Sequence, residues 1–330
     1  MTAEAAPAEA APAATTAAPS ADAELYKDVR IAVIGGSGLY NLDNLHVLGE
    51  IRPKTPWGEP SDAIVISKTP DGHKIAFLAR HGRGHYLNPS EVPARANIAA
   101  LKHIGVEVIL AFSAVGSLQQ EIAPRDFVVP SQIIDRTKGV RESTFFDNGV
   151  TGHVGFADPF DSDLANLIIT VAAAAAAQGQ GLGGRGVKFH KDKTLICMEG
   201  PAFSTRAESK MYRSWGADVI NMSVLPEAKL AREAEIAYQM VCMSTDYDCW
   251  KVEEEAVNVE AVIANLGANS DTAKRLLLAL IPAVTAALHA NELKNLAALK
   301  GANKWAVITA PEKRNPAQVE KLNYLLPGYY

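Results

Sequence analysis

An apolar stretch of this chain closes on Thr245-Asp246-Tyr247-Asp248-Cys249. Two carboxylates two residues apart lie on one face if the backbone stays extended. Buried together they cannot both be charged at low cost, so one pKa should rise. A protonated carboxyl beside an ionised one can donate to a ring nitrogen and accept from an amino group, which is the pattern that grips a 6-aminopurine. A solvated turn is the competing reading. Cys249 and Trp250 after the pair, and the apolar run before it, favour burial.

Three further segments carry polar or glycine residues directly after apolar runs. Gly35-Gly36-Ser37-Gly38 exposes backbone N–H groups able to cradle an oxyanion. It lacks the Gly-Lys-Ser/Thr of a Walker loop, and Asn41 stands where a dinucleotide fingerprint needs glycine, which disfavours a nicotinamide dehydrogenase. A tight turn is its alternative. Arg80-His81-Gly82-Arg83-Gly84-His85 offers an arginine placed to hold phosphate in a two-pronged grip. His81 and His85 have one metal-ligand spacing, but the intervening glycines disfavour a helix and no Glu follows as in His-Glu-x-x-His, so no metal site is assigned. A charged surface loop is the other reading. Ser113 in Phe112-Ser113-Ala114-Val115-Gly116-Ser117 does not fit Gly-x-Ser-x-Gly, so its hydroxyl binds rather than attacks, or else caps a turn. Open α/β sheets bind ligands at the carboxyl ends of their strands, and the coincidence of these segments outweighs any one of them.

The elements that must position them follow from periodicity. Short strands are expected at residues 29–34, 63–67, 74–79, 107–112, 126–129, 194–198, 218–222 and 236–244, with Asp71-Gly72 as a hairpin turn. Helices are expected at 91–104, 162–178, 205–215 and 270–288, with another starting at Pro226. The apolar end, 322–330, should dock on the body. Strands mixed with helices and a hairpin imply an α/β fold: a single domain, residues 27–330, with a mixed central β-sheet flanked by helices. Residues 1–26, rich in Ala and Pro, read as a disordered tail; their acids and lack of Lys or Arg before Lys27 argue against a transit peptide.

Composition sets bounds. The chain has 330 residues, 48% hydrophobic and 21% charged, with formal net charge −5, which gives no reason to expect nucleic acid. No run is expected to reach the length of a membrane span. Three cysteines without Cys-x-x-Cys spacing suit a reducing compartment: the cytoplasm, with the nucleus as a second address.

Taken together, Ile34-Gly35-Gly36-Ser37-Gly38-Leu39, Ala79-Arg80-His81-Gly82, Gly116-Ser117-Leu118, Glu199-Gly200-Pro201, Trp215-Gly216-Ala217-Asp218-Val219-Ile220-Asn221-Met222 and Thr245 to Trp250 resemble the 5′-methylthioadenosine phosphorylases of the purine nucleoside phosphorylase superfamily. The match runs in order from about residue 30 to 262 and thins over the last fifth. The resemblance implies a nucleoside phosphorylase-like fold and phosphorolysis of methylthioadenosine to adenine and methylthioribose 1-phosphate, in methionine and purine salvage. It implies inorganic phosphate as co-substrate, no cofactor, and a homotrimer.

By the same resemblance Ser37, Arg80, His81, Ser113, the Ala114 amide and Ser223 would bind phosphate. Phe203, Ser204, Asp246 and Asp248 would surround the base, with Asp246 as the catalytic acid at purine N7. Met222 would lie on the ribose, and Val259, Val262, Leu325 and His153 (the last from a neighbouring subunit) would form the methylthio pocket. Relatives selective for 6-oxopurines carry Asn where Asp246 stands, which favours adenine; a phosphorylase of broader or 6-oxopurine specificity is the alternative, and a catalytically silent purine- or phosphate-binding protein a third reading. Two departures stand out: Ser37, Ser113 and Ser223 replace the family's frequent Thr, and Ala202 follows Glu199-Gly200-Pro201 where a larger polar residue is common.

Overall fold

The computed structural model describes residues 21–36, 39, 45–178, 182, 187–251 and 259–330. In chain order they form α1 (Ala21–Tyr26), β1 (Ile31–Gly35), β2 (His46–Ile51), β3 (Ile64–Lys68), β4 (Lys74–Ala79), α2 (Ala94–His103), β5 (Val108–Ser117) and β6 (Phe127–Arg136). There follow α3 (Ser162–Ala177), β7 (Phe189–Met198), α4 (Arg206–Ser214), β8 (Val219–Asn221), α5 (Val224–Glu233), β9 (Ala237–Asp246), α6 (Val259–His289), α7 (Lys294–Leu299) and α8 (Pro316–Leu325).

One mixed sheet runs in the order β2-β3-β4-β1-β5-β8-β7-β6-β9, and β9 also pairs with β5. The second half therefore closes on itself as a ring of five strands, with β2, β3, β4 and β1 as an open wing. The wing's core strands are parallel, β1 lying between β4 and β5, while β3 and β4 form the hairpin turned by Asp71-Gly72, where Gly72 has φ +93°. A positive φ suits glycine because it has no Cβ to clash. Closure brings β5 parallel to β9 over nearly their whole length. Both carry chemistry-bearing residues at the same end, and that pairing builds the site.

Side chains alternate between the faces of a strand, so each inner strand feeds two cores. Ala32 and Ile34 of β1 join one core with α2, α5 and α8; Ile31 and Val33 join the other with α3, α6 and α7. Strands covered on both faces need near-continuous apolar sequence, which is how they read. A third, smaller core of Leu118, Ile196, Tyr212, Ala217 and Ile220 lies under α4. That helix starts with a capping box, in which Thr205 and Glu208 satisfy each other's backbone N–H groups.

The mixed α/β expectation holds, with differences of extent. β5, β6 and β7 each run ten residues, longer than apolar character alone suggested, because their polar ends stay paired in the ring. β2 was not expected; it is an edge strand with little burial. The last six residues of the expected disordered tail are helical, with Leu25 and Tyr26 packed on the core; residues 1–20 lie outside the described set, as does most of the glycine-rich break at 179–186. The C-terminal apolar end docks through α8, burying Leu322, Leu325 and Leu326. The expectation that no run is long and apolar enough for a membrane span needs correction: Asn265–His289 of α6 qualifies by length and composition. Its Ala273, Leu276, Leu277, Leu280, Ile281 and Val284 are nevertheless buried in the second core, as a core helix requires.

Candidate active site

A cavity of about 650 Å³ opens at the carboxyl ends of β1, β4, β5 and β9, lined among others by Gly36, Arg80, His81, Ser113, Met222, Asp246 and Asp248. One end holds the arginine and the serines, the other the two aspartates. Ser113 and Gly116 lie three residues apart on β5, a span of roughly 10 Å at about 3.3 Å per residue.

At the first end Arg80 leaves β4, its backbone N–H donating to Gly35 O at 3.0 Å. Its guanidinium is buried and rigidly held. Nε and Nη2 donate to the two carboxylate oxygens of Glu227 at 2.8 and 2.9 Å, and Nη1 donates to Phe112 O at 2.9 Å. The two-pronged edge expected to face phosphate is thus spent on Glu227. His81 pairs Nδ1 with Leu87 O at 2.9 Å. A carbonyl only accepts, so the proton sits on Nδ1 and Nε2 is left as an acceptor. Burial, and then the Arg80 charge, lower the His81 pKa to about 4, so the ring is neutral near pH 7. His85 stacks on it at 4.3 Å between centroids, with its own pKa lowered by burial and by Arg80. Gly82 has φ +71° and leaves room for the Tyr86 ring, which a Cβ would meet at 2.1 Å.

Ser113 and Ser223 bring their hydroxyls to 2.8 Å of each other. Asn221 Nδ2 donates to both, at 3.2 Å each, and orients the pair. Asn221 is buried at the end of β8 and was given no role from sequence; its signal was the Asn-x-Ser spacing before α5.

The aspartate end depends on a bulge. β5 and β9 pair Val115 with Ser244 and then Gly116 with Asp246, leaving Thr245 without a register partner. Such an extra residue re-aims the next side chain. Thr245 Oγ1 reaches both Val115 O at 3.2 Å and Asp246 Oδ2 at 2.7 Å, while Asp246 Oδ1 accepts the Asp248 N–H at 2.8 Å. Gly116 is needed opposite, because a Cβ there would stand 3.1 Å from Asp246 Oδ1 and 3.2 Å from Ile220 Cγ2. The expectation that the aspartates share a face through an extended strand needs correction, because β9 ends at Asp246. Asp248 has φ +49° and opens a short turn, and both acids reach the cavity because Asp246 accepts that turn's N–H. Burial raises both pKa values; Asp248 adds to the rise at Asp246, and Glu208 to that at Asp248. Ser209 of α4, buried and also missed from sequence, donates to Asp248 Oδ2.

Phe203, half exposed, and Ser204 line the same end, and Met222 the middle. Met222 packs on Gly200, whose φ is +72° and where a Cβ would fall 2.4 Å from the Met222 sulfur. Arg141 ties these loops together: Nε donates to Glu199 Oε1 at 2.6 Å, and Nη1 donates to Met222 O and Leu225 O at 2.6 Å. That network explains the Glu199-Gly200-Pro201 segment in physical terms.

Other expected residues lie elsewhere. Leu325 is buried in the first core and does not line the cavity, because α8 turns its apolar face inward. His153 is exposed and lines a separate cavity of about 430 Å³ with Phe146, Val154, Phe156, Lys229 and Glu233. Ser37 and the side chains of Val259 and Val262 lie outside the described residues.

Residues 30–282 match the model of the phosphorylase superfamily. The chain is 56% identical to the S-methyl-5′-thioadenosine phosphorylase of Tuber melanosporum over 306 residues, 92% of this chain and 97% of that one. It is 55% identical to that of Yarrowia lipolytica, over 92% and 94% of the two chains. Among solved structures it resembles a methylthioadenosine phosphorylase from an Antarctic soil metagenomic library (TM-score 0.79, 42% identity, 91% of this chain and 100% of that one). It also resembles methylthioadenosine phosphorylase from Schistosoma mansoni in complex with adenine (TM-score 0.77, 33% identity, 86% and 100% covered).

Proposed function

The chain belongs to the phosphorylase superfamily, and on that premise we propose how its cavity cleaves 5′-methylthioadenosine with phosphate, releasing adenine and 5-methylthioribose 1-phosphate. The enzyme is a phosphorolytic pentosyltransferase acting on methylthioadenosine, as its relatives at 53–56% identity are named. The observation that carries the mechanism is the polarity of one cavity: anchored hydroxyls and a guanidinium at one end, two acids of raised pKa at the other.

Cleavage of the N-glycosidic bond leaves an oxocarbenium-like sugar and negative charge on the departing purine. Phosphate stands on the Arg80 side, taking hydrogen bonds from the Ser113 and Ser223 hydroxyls and the Ala114 amide. Neutral His81 offers Nε2 to the protonated oxygen of hydrogenphosphate. The anion attacks the anomeric carbon, C–N electrons pass to the base, and Asp246 supplies a proton or a strong hydrogen bond at N7. A carboxyl whose pKa burial raises suits that task, which is typically worth roughly 10²–10⁴ in rate. Asp248 accepts from the 6-amino group, and Met222 lies on the ribose. No metal or redox group has a step in this scheme.

We place the products in methionine and purine salvage, and the enzyme as a homotrimer in which exposed His153 reaches a neighbour's methylthio pocket. Three free thiols, two of them buried, suit the reducing cytoplasm and nucleus. The test is adenine release from methylthioadenosine with and without phosphate, set against inosine. Phosphate-dependent release, with methylthioadenosine the better substrate, is expected; inosine as the better substrate would overturn the adenine assignment, and release without phosphate would overturn phosphorolysis.

A further inference from the structure

Arg80 is not held by the strand that carries it. Its guanidinium sits where β4, β5 and α5 meet, and Glu227 in the first turn of α5 takes its Nε and Nη2 edge with both carboxylate oxygens. The side chains of the pair are 3% and 5% exposed. Glu227 Oε1 also accepts from the Tyr238 hydroxyl at 2.7 Å. Tyr238 is buried on β9, its ring centroid 6.2 Å from that of Phe160, so the far end of the chain of contacts is itself packed in the core. Its phenol stays protonated, since burial and then the Glu227 charge push its pKa well up.

We propose that Glu227, backed by Tyr238, is a positioning residue for phosphate: it sets which edge of Arg80 faces the cavity and so governs how phosphate is held. The proposal rests on the phosphorolytic reading above and adds a residue pair that never touches substrate. A bidentate carboxylate fixes both the plane and the rotation of a guanidinium. With Nε and Nη2 turned to Glu227 and Nη1 tied to Phe112 O, rotation of the fork would break three charge-assisted or carbonyl bonds at once. Arg80 therefore meets an anion in one orientation, and the anion's place relative to Ser113 and Ser223 is set in advance. An ion pair that served only as a pillar between α5 and the sheet would affect stability without affecting phosphate.

Glu227→Gln keeps the volume but turns one acceptor into a donor facing the Arg80 N–H groups. Its phosphate KM should rise by about 10- to 100-fold, as expected when a reacting group is displaced by an ångström or so, while the KM for methylthioadenosine at saturating phosphate changes little. Tyr238→Phe leaves the ion pair intact and loosens only its backing, so phosphate KM should rise about two- to fivefold. Should Glu227→Gln fail to fold, Tyr238→Phe and the phosphate concentration that half-protects it against heat supply the same readout. Variants that fold and saturate with phosphate at the wild-type concentration overturn the proposal. A wild-type enzyme that releases adenine without phosphate would instead overturn phosphorolysis itself, so the two failures are distinct.

Discussion

The two ends of the cavity treat buried acids in opposite ways. At the Arg80 end Glu227 is met by the guanidinium of Arg80, and behind Met222 Glu199 is met by that of Arg141. At the opposite end Asp246 and Asp248 have hydroxyl and backbone donors: Thr245 and the Asp248 N–H for one, Ser209 for the other. A full positive partner matches a carboxylate with opposite charge; burial with neutral donors leaves desolvation in control. Hence burial heads the causes of the raised pKa at both aspartates. The fold thus separates charge that stays fixed from charge that must move. An arriving anion needs donors already in place, whereas a departing base needs an acid still able to give.

The strongest way to break this division is Asp246→Asn. The amide keeps shape and a donor but has no transferable proton. We expect turnover of methylthioadenosine to fall by roughly 10²–10⁴ with phosphate KM unchanged, measured by steady-state kinetics in both substrates. A comparable loss in phosphate affinity would mean the two ends are not independent. Next comes Gly116→Ala, which places a methyl 3.1 Å from Asp246 Oδ1. Turnover should drop about tenfold through displacement of the acid, again with phosphate use intact; full activity would show that the bulge tolerates a shift.

How far these features could be read beforehand depends on whether the signal is local. Asp246, Asp248, Ser113, Arg80 and His81 sit directly after apolar strands, so type and place were both legible, and the structure gathers them on one cavity. Glu227 and Ser209 were not legible as site residues, and Asn221 only through its Asn-x-Ser spacing. Each acts through a partner far along the chain; Glu227 and Arg80 are 147 residues apart. Nothing in helical periodicity separates such a buried glutamate from a solvated one. The closure of the ring through β5 and β9 was equally hidden, because strand order is a non-local property. The bulge at Thr245 failed for a different reason: a two-residue spacing says same face only if the register is unbroken. Leu325 was misplaced because an apolar C-terminus marks something to bury without saying against what.

Ser209→Ala sharpens the contrast at a gentler level. It removes the side-chain hydroxyl that lowers the Asp248 pKa, so the carboxyl should become harder to ionise and accept less well from the 6-amino group. The KM for methylthioadenosine should rise about three- to tenfold, with little change in turnover at saturation. An unchanged KM would remove Asp248 from the base contact.

The smallest expected effect tests the rule away from the cavity. Glu233 is buried with a threonine hydroxyl and a backbone N–H as donors, Thr144 Oγ1 at 2.8 Å and Phe145 N at 2.7 Å, the same pairing as at Asp246. Burial pushes its pKa from 4.5 to about 7. Between those values the folded state holds a proton that the unfolded state has lost, so this group's contribution to stability is largest at low pH and falls as pH rises toward 7. His81 works in the opposite direction: its pKa of about 4, against 6.5 unfolded, makes stability rise over much of the same interval. The wild-type profile therefore mixes two slopes, and the difference between Glu233→Gln and wild type isolates one. Denaturant unfolding at several pH values should show the variant losing a downward slope of up to about 1.4 kcal/mol per pH unit between about pH 4.5 and 7. Parallel profiles would mean that a hydroxyl and an amide suffice to hold a buried carboxylate ionised, and burial would no longer explain why Asp246 suits the role of an acid.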